Sequence, residues 1–88
     1  MDIKSKIKQL FNNYRYVYEA SLIEPYELEG KSYEKVILVS NFLPIDKLLH
    51  STIKNRDIKV SIASLDIKII EILNSIPILE LIDDFKIK

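Results

Sequence analysis

Val36-Ile37-Leu38-Val39 are four consecutive apolar residues, three of them β-branched, set between Tyr33-Glu34-Lys35 and Ser40-Asn41-Phe42-Leu43-Pro44. A strand without a polar face has to be covered on both sides, so this run reads as a central strand over 34–41. The rest of the chain reads as its covering.

Immediately upstream the period is two. Tyr14, Tyr16, Tyr18, Ala20 and Leu22 share one side, with Arg15, Val17, Glu19, Ser21 and Ile23 on the other, which predicts a strand with an aromatic stripe. Pro25 is expected to end that strand or to confine its end to a sheet edge. Residues 24–31 then read as a loop or hairpin connection, with the chain's one glycine, Gly30, near its tip. The expected consequence is antiparallel pairing of 16–23 with 34–40. Before the tyrosines, Ile3, Ile7, Leu10 and Phe11 follow the i, i+4, i+7, i+8 template of one helix face, and Asn12-Asn13 is a stop. Lys4, Lys6 and Lys8 lie off that face as a solvated surface; the alternative is a small phosphate-contacting patch.

Downstream, Pro44 suits a first helical turn, and Ile45, Leu48, Leu49, Thr52 and Ile53 predict a helix over 44–54. Ile58, Val60 and Ile62 alternate with Lys59 and Ser61 as a strand. Strand, helix and strand in succession suggest a right-handed crossover with parallel pairing. Ser64 suits an N-cap, after which Leu65, Ile69, Ile72, Leu73 and Ile76, widened by Ile67 and Ile70, predict an isoleucine-rich helix that ends near Asn74-Ser75, before Pro77. Residues 77–85 fit either a helix or a strand, with a last parallel strand preferred. The expected fold class is α+β (mixed α/β): a single small two- or three-layer domain spanning 1–88, ordered α-β-β-α-β-α with that last strand.

Eighty-eight residues at 48% hydrophobic and 30% charged can bury enough apolar area to offset the entropy of ordering, which argues against intrinsic disorder. The absence of cysteine excludes disulfides, thiolate metal sites and thiol nucleophiles. The opening residues do not lead into a signal-peptide pattern and no stretch has the length of a membrane span, so a cytoplasmic protein without membrane contact is expected. A formal net charge of zero removes the basic excess of a dedicated nucleic-acid binder and leaves little long-range repulsion between copies. Sixteen isoleucines, and eleven lysines against two arginines, reflect an AT-rich coding bias more than function.

One glycine cannot build a phosphate-cradling loop or a dinucleotide turn, so no cofactor is expected. His50, the sole histidine, lies off the stripe of the 44–54 helix with no orienting partner in view, and no serine sits in a nucleophile-elbow context. Glu19, Glu24, Asp46, Asp57, Asp66, Asp83 and Asp84 could supply a magnesium site, but Asp46 and Asp66 stand near expected helix N-termini, where the macrodipole favours acids without metal. No catalytic and no metal-binding residue is assigned.

The strongest local feature lies between Tyr14 and Glu34, which hold all five tyrosines. Residues 16–34 carry Glu19, Glu24, Glu27, Glu29 and Glu34 against Lys31, a net charge of −4. Carboxylates at that density repel a phosphate backbone, whereas tyrosine beside acid suits protein recognition. Tyr16, Tyr18, Glu24, Tyr26, Glu27 and Glu29 are therefore the candidate partner-binding residues; the competing reading makes the tyrosines core-edge residues and the acids a solvated hairpin. The expected function is a small non-catalytic accessory subunit or interaction module of a larger assembly, in nucleic-acid machinery such as replication or tRNA modification. Its expected partner is a larger protein, a homodimer is compatible, and nucleic acid is met only indirectly. The alternative is a small nucleic-acid-binding domain or metal-dependent nuclease.

The passage Ile58 to Ser75, read as a strand followed by Asp66-Ile67-Lys68-Ile69-Ile70 and Asn74-Ser75, bears a partial likeness to the last strand and helix of the small dimerising subunit of the KEOPS tRNA-modification complex. It covers about a fifth of the chain and the upstream strand order does not match, so no family is assigned from it.

Overall fold

The computed structural model describes residues 3–41 and 58–83, and these form a mixed α+β fold with one α-helix and a five-stranded mixed sheet. Helix α1 spans Ile3–Asn13, β1 Tyr16–Leu28, β2 Lys31–Ser40, β3 Ile58–Val60, β4 Asp66–Leu73 and β5 Ile76–Asp83, with a short 3-10 turn at Ile62–Ser64. The order across the sheet is β3-β1-β2-β5-β4. The apolar run expected to be central is central: β2 pairs antiparallel with β1 and parallel with β5.

Alternation along β2 divides the core in two. Val36 and Leu38 join Tyr18, Ala20, Val60, Ile62, Leu65, Leu79 and Leu81 in one buried cluster. Ile37 and Val39 join Leu10, Val17 and Ile78 in the other, where Ile7 and Phe11 of α1 pack. None of the four β2 residues is more than 1% exposed, as a strand with no polar face requires. Helix α1 therefore lies on the second face, held by its i, i+3, i+4 stripe. The chain leaves it through a backbone bond from the Tyr14 N–H to the Leu10 carbonyl, 2.8 Å.

The expected antiparallel pairing is present, from Tyr16 opposite Ser40 to Ser21 opposite Lys35. Strand β1 does not end at Pro25, however; it continues to Leu28. Pro25 is tolerated because it falls in an irregular stretch with no cross-strand partner.

Two further expectations are corrected. The residues expected to form an isoleucine-rich helix are instead β4, a turn and the start of β5. Asn74 and Ser75 both take positive φ, 53° and 65°, with Leu73 opposite Ile76 across them, which is the geometry of a two-residue type I′ hairpin. The β-branched isoleucines of β4 favour the pleated state. The misleading helical spacing has a physical source: a bulge between Ile69 and Glu71 inserts a residue, and a period of two with a phase slip mimics i, i+3, i+4. The partial likeness noted above rested on that helix and goes with it.

The second correction concerns β3, which is parallel to β1 and does not pair with the central strand. Both edges of β2 are already occupied, by β1 and β5, so β3 adds at the sheet's rim. The preferred reading of 77–85 as a last parallel strand matches β5. The expected helix 44–54, with Pro44, Asp46, Leu49 and His50, lies outside the described residues, as do Asp57 and Asp84.

Candidate partner-binding surface

Beyond Ser21 the β1–β2 pair becomes an arm. Pairing resumes only at Tyr26 opposite Tyr33, so four β1 residues, 22–25, stand opposite the single residue Glu34. So wide a bulge leaves inserted side chains without a place in the pleat. Ile23 is the result: it is 65% exposed, above the other exposed large apolar side chains among the described residues. Ser21, Leu22, Ile23, Pro25, Glu34 and Lys35 line a hollow of about 350 Å³ at the same bulge.

The arm continues through Glu27 opposite Ser32 and Leu28 opposite Lys31. Alternation puts Glu27 on the side away from the Tyr26–Tyr33 pair, and it is exposed. At the tip Glu29 and Gly30 have φ of 52° and 82°, a second type I′ turn. A Cβ on Gly30 would meet nothing within 4 Å, so what holds glycine there is backbone conformation alone. Glu24, Glu27, Glu29 and Glu34 are all exposed. Farther down, Glu19 lies 3.9 Å from Lys35 in an outward, loosely held ion pair.

The six candidate residues divide. Glu24, Tyr26, Glu27 and Glu29 come together on the arm, with Tyr26 half-buried against the first core cluster. Tyr16 and Tyr18 stand at the other end of β1; nine residues of strand separate Tyr18 from Glu27, on the order of 25–30 Å at about 3.3 Å each. Tyr18 is 1% exposed and belongs to the core. Its ring stacks on half-buried Tyr16 with centroids 6.4 Å apart and planes at 6°. Its hydroxyl is buried and has no hydrogen-bond partner among the described residues. Burial, and secondarily the neighbouring Tyr16, pushes its pKa from 10.0 up to about 12. Tyr18 thus offers no contact surface.

The remaining tyrosines are structural too. Tyr33 is buried, and the Tyr14 hydroxyl donates a long, 3.5 Å hydrogen bond to Glu80 Oε1. Desolvation, then the charge and hydrogen bond of Glu80, raise the Tyr14 pKa. Ile23, Pro25 and Glu34 are absent from the candidates although they line the hollow at the bulge. The available signal was a proline inside an alternating strand, which marks a bulge as readily as an end.

Among the described residues no group of three or more histidine, cysteine or acidic side chains could hold a metal ion. No helix among them is long and apolar enough to cross a membrane. No protein-family model matches this chain, and no curated protein or solved structure is significantly similar to it.

Proposed function

We propose that the chain is a small non-catalytic accessory subunit, a single cytoplasmic domain of two or three layers whose β1–β2 arm binds a larger protein. The observation that carries the reading is Ile23, an aliphatic side chain 65% exposed at the rim of a hollow that exposed Glu34 and Lys35 also line, with exposed Glu24 next to it in the chain. An apolar anchor inside a charged rim is the usual division of labour at a protein interface, where the anchor holds the complex and the rim steers encounter. The partner that suits such a surface is a segment that presents an apolar side chain flanked by lysine or arginine. Nucleic acid is met only through that partner, because the arm's carboxylates repel phosphate.

Native pull-down with mass spectrometry from the cells that make the protein tests this. One larger protein should co-purify in stoichiometric amount. Salt-sensitive binding to DNA or RNA, with no protein partner retained, would replace this reading with the nucleic-acid-binding alternative.

A further inference from the structure

At the far side of the sheet from β3 lies β4, and among the described residues no strand pairs with its outer edge. It is eight residues long, Asp66–Leu73, and three of its isoleucines are exposed: Ile69 at 40%, Ile70 at 36% and Ile72 at 43%. A long apolar edge is a template for another strand, which monomeric proteins blunt or cover. We infer that β4 pairs antiparallel with β4 of a second copy of this chain, about a two-fold axis between Ile69 and Ile70.

The choice of a second copy rests on the order of side chains along the edge. A two-fold antiparallel pair requires each residue to find its complement on the same strand read backwards. Ile67-Lys68-Ile69-Ile70-Glu71-Ile72 does so at every position: isoleucine meets isoleucine, Lys68 meets Glu71 of the other copy, and Glu71 meets Lys68. A strand from an unrelated protein would have no use for such a pattern.

Residues directly opposite must also share a face, and in a regular strand Lys68 and Glu71, three apart, would not. The bulge after Ile69 removes that obstacle. Lys68 stands opposite Glu80, which Tyr14 reaches from the α1 side, and Glu71 lies opposite Ile78 of the α1-facing cluster, with an ion pair of 2.9 Å to Lys6 of α1. Ile67 and Ile69 stand opposite Leu81 and Leu79 of the other cluster, and alternation from Glu71 returns Ile72, opposite Pro77, to that same face. Both Lys–Glu pairs therefore form on the helix face and the Ile67–Ile72 pairs on the opposite one, in a ten-stranded sheet made of twice five strands. The surface is separate from the arm, so this inference stands or falls independently of the proposed function.

A pair of short strands stays below the roughly 800 Å² per partner of a standard interface, so a Kd of about 10 µM or weaker is expected. Sedimentation equilibrium of the full chain from about 10 µM to about 1 mM, for wild type, Lys68→Glu, Glu71→Lys and the equimolar mixture, tests it. Wild type should reach a dimer and no larger species. Each variant alone sets like charges opposite one another twice and should raise Kd by about 10-fold or more. In the mixture, a copy carrying Lys68→Glu offers two carboxylates to the two ammonium groups of a copy carrying Glu71→Lys, so opposite charges meet at both contacts and wild-type association should return. Thermal melts confirm folding. Should Glu71→Lys fail to fold through loss of its Lys6 ion pair, Lys68→Glu must still weaken the dimer more than Lys68→Gln. A monomer throughout, mass that grows without limit, variants that associate like wild type, or a mixture no tighter than its components would each overturn the inference.

Discussion

The ring of Tyr18 lies 6° from parallel with that of Tyr16, two residues earlier on the same side of β1, and only Tyr18 is sealed from solvent. Burial of that phenol, with the neighbouring Tyr16 second, makes one titration part of the fold's stability. A native pKa of about 12 against an ordinary 10.0 means that the native state holds the phenol proton after the unfolded chain has lost it. That stabilisation is complete below pH 10 and is lost as pH rises through the native value, by roughly 2–3 kcal/mol. Urea unfolding of wild type and Tyr18→Phe at pH 9 and at increasing alkalinity should show the difference between them shift in favour of Phe. A constant difference would contradict the account.

Substitution at this position should separate packing from hydrogen bonding. Tyr18→Phe removes a buried hydroxyl that has no partner among the described residues and is expected to be neutral or to stabilise by about 1 kcal/mol at neutral pH. Tyr18→Ala should cost about 3–5 kcal/mol, because a cavity opens among Ala20, Val36, Leu38 and Leu79. Both are read from the denaturation midpoint, and partner affinity should survive both in the folded protein.

The β4–β5 turn stores strain at one residue. Asparagine tolerates φ of 53° at position 74, whereas Ser75 at 65° carries a Cβ that the left-handed region disfavours. Ser75→Gly should raise stability by about 0.5–1 kcal/mol, less than the full relief because glycine also loosens the unfolded chain. Gly30→Ala, at φ 82°, should lower it by about 1 kcal/mol. Thermal denaturation of the two variants checks the opposite signs.

Charge reversal on the arm should act on kinetics. Glu27 and Glu29 are exposed near its tip, so Glu27→Lys with Glu29→Lys should lower the association rate with the partner and flatten its salt dependence, with a small change in dissociation rate. Surface-binding kinetics at low and high salt measure this directly.

How much of this the chain declares depends on how regular each strand is. Val36 to Val39 have no polar face and can only be central; Tyr16 to Ser21 alternate without a slip, and the antiparallel pairing expected of them is found there. Pattern reading fails wherever a bulge intervenes. The one after Ile69 made β4 resemble a helix, and the one at 22–25 hid Ile23 as an ordinary strand residue although it is 65% exposed. Tyr18 was misplaced for another reason: tyrosine suits both a core and an interface, and alternation names a residue's side without saying what covers that side.

Ile23 decides the central claim. At 65% exposure its replacement by lysine leaves the core untouched, so folding should be unchanged while the anchor of the interface is lost. Quantitative pull-down from native cells, comparing wild type with Ile23→Lys and with the exposed helix variant Gln9→Ala, should show one protein retained by wild type and Gln9→Ala and depleted at least about 10-fold by Ile23→Lys, the loss expected for an anchor worth about 1.4 kcal/mol or more. The same proteins retained in equal amounts by wild type and a well-folded Ile23→Lys would contradict it.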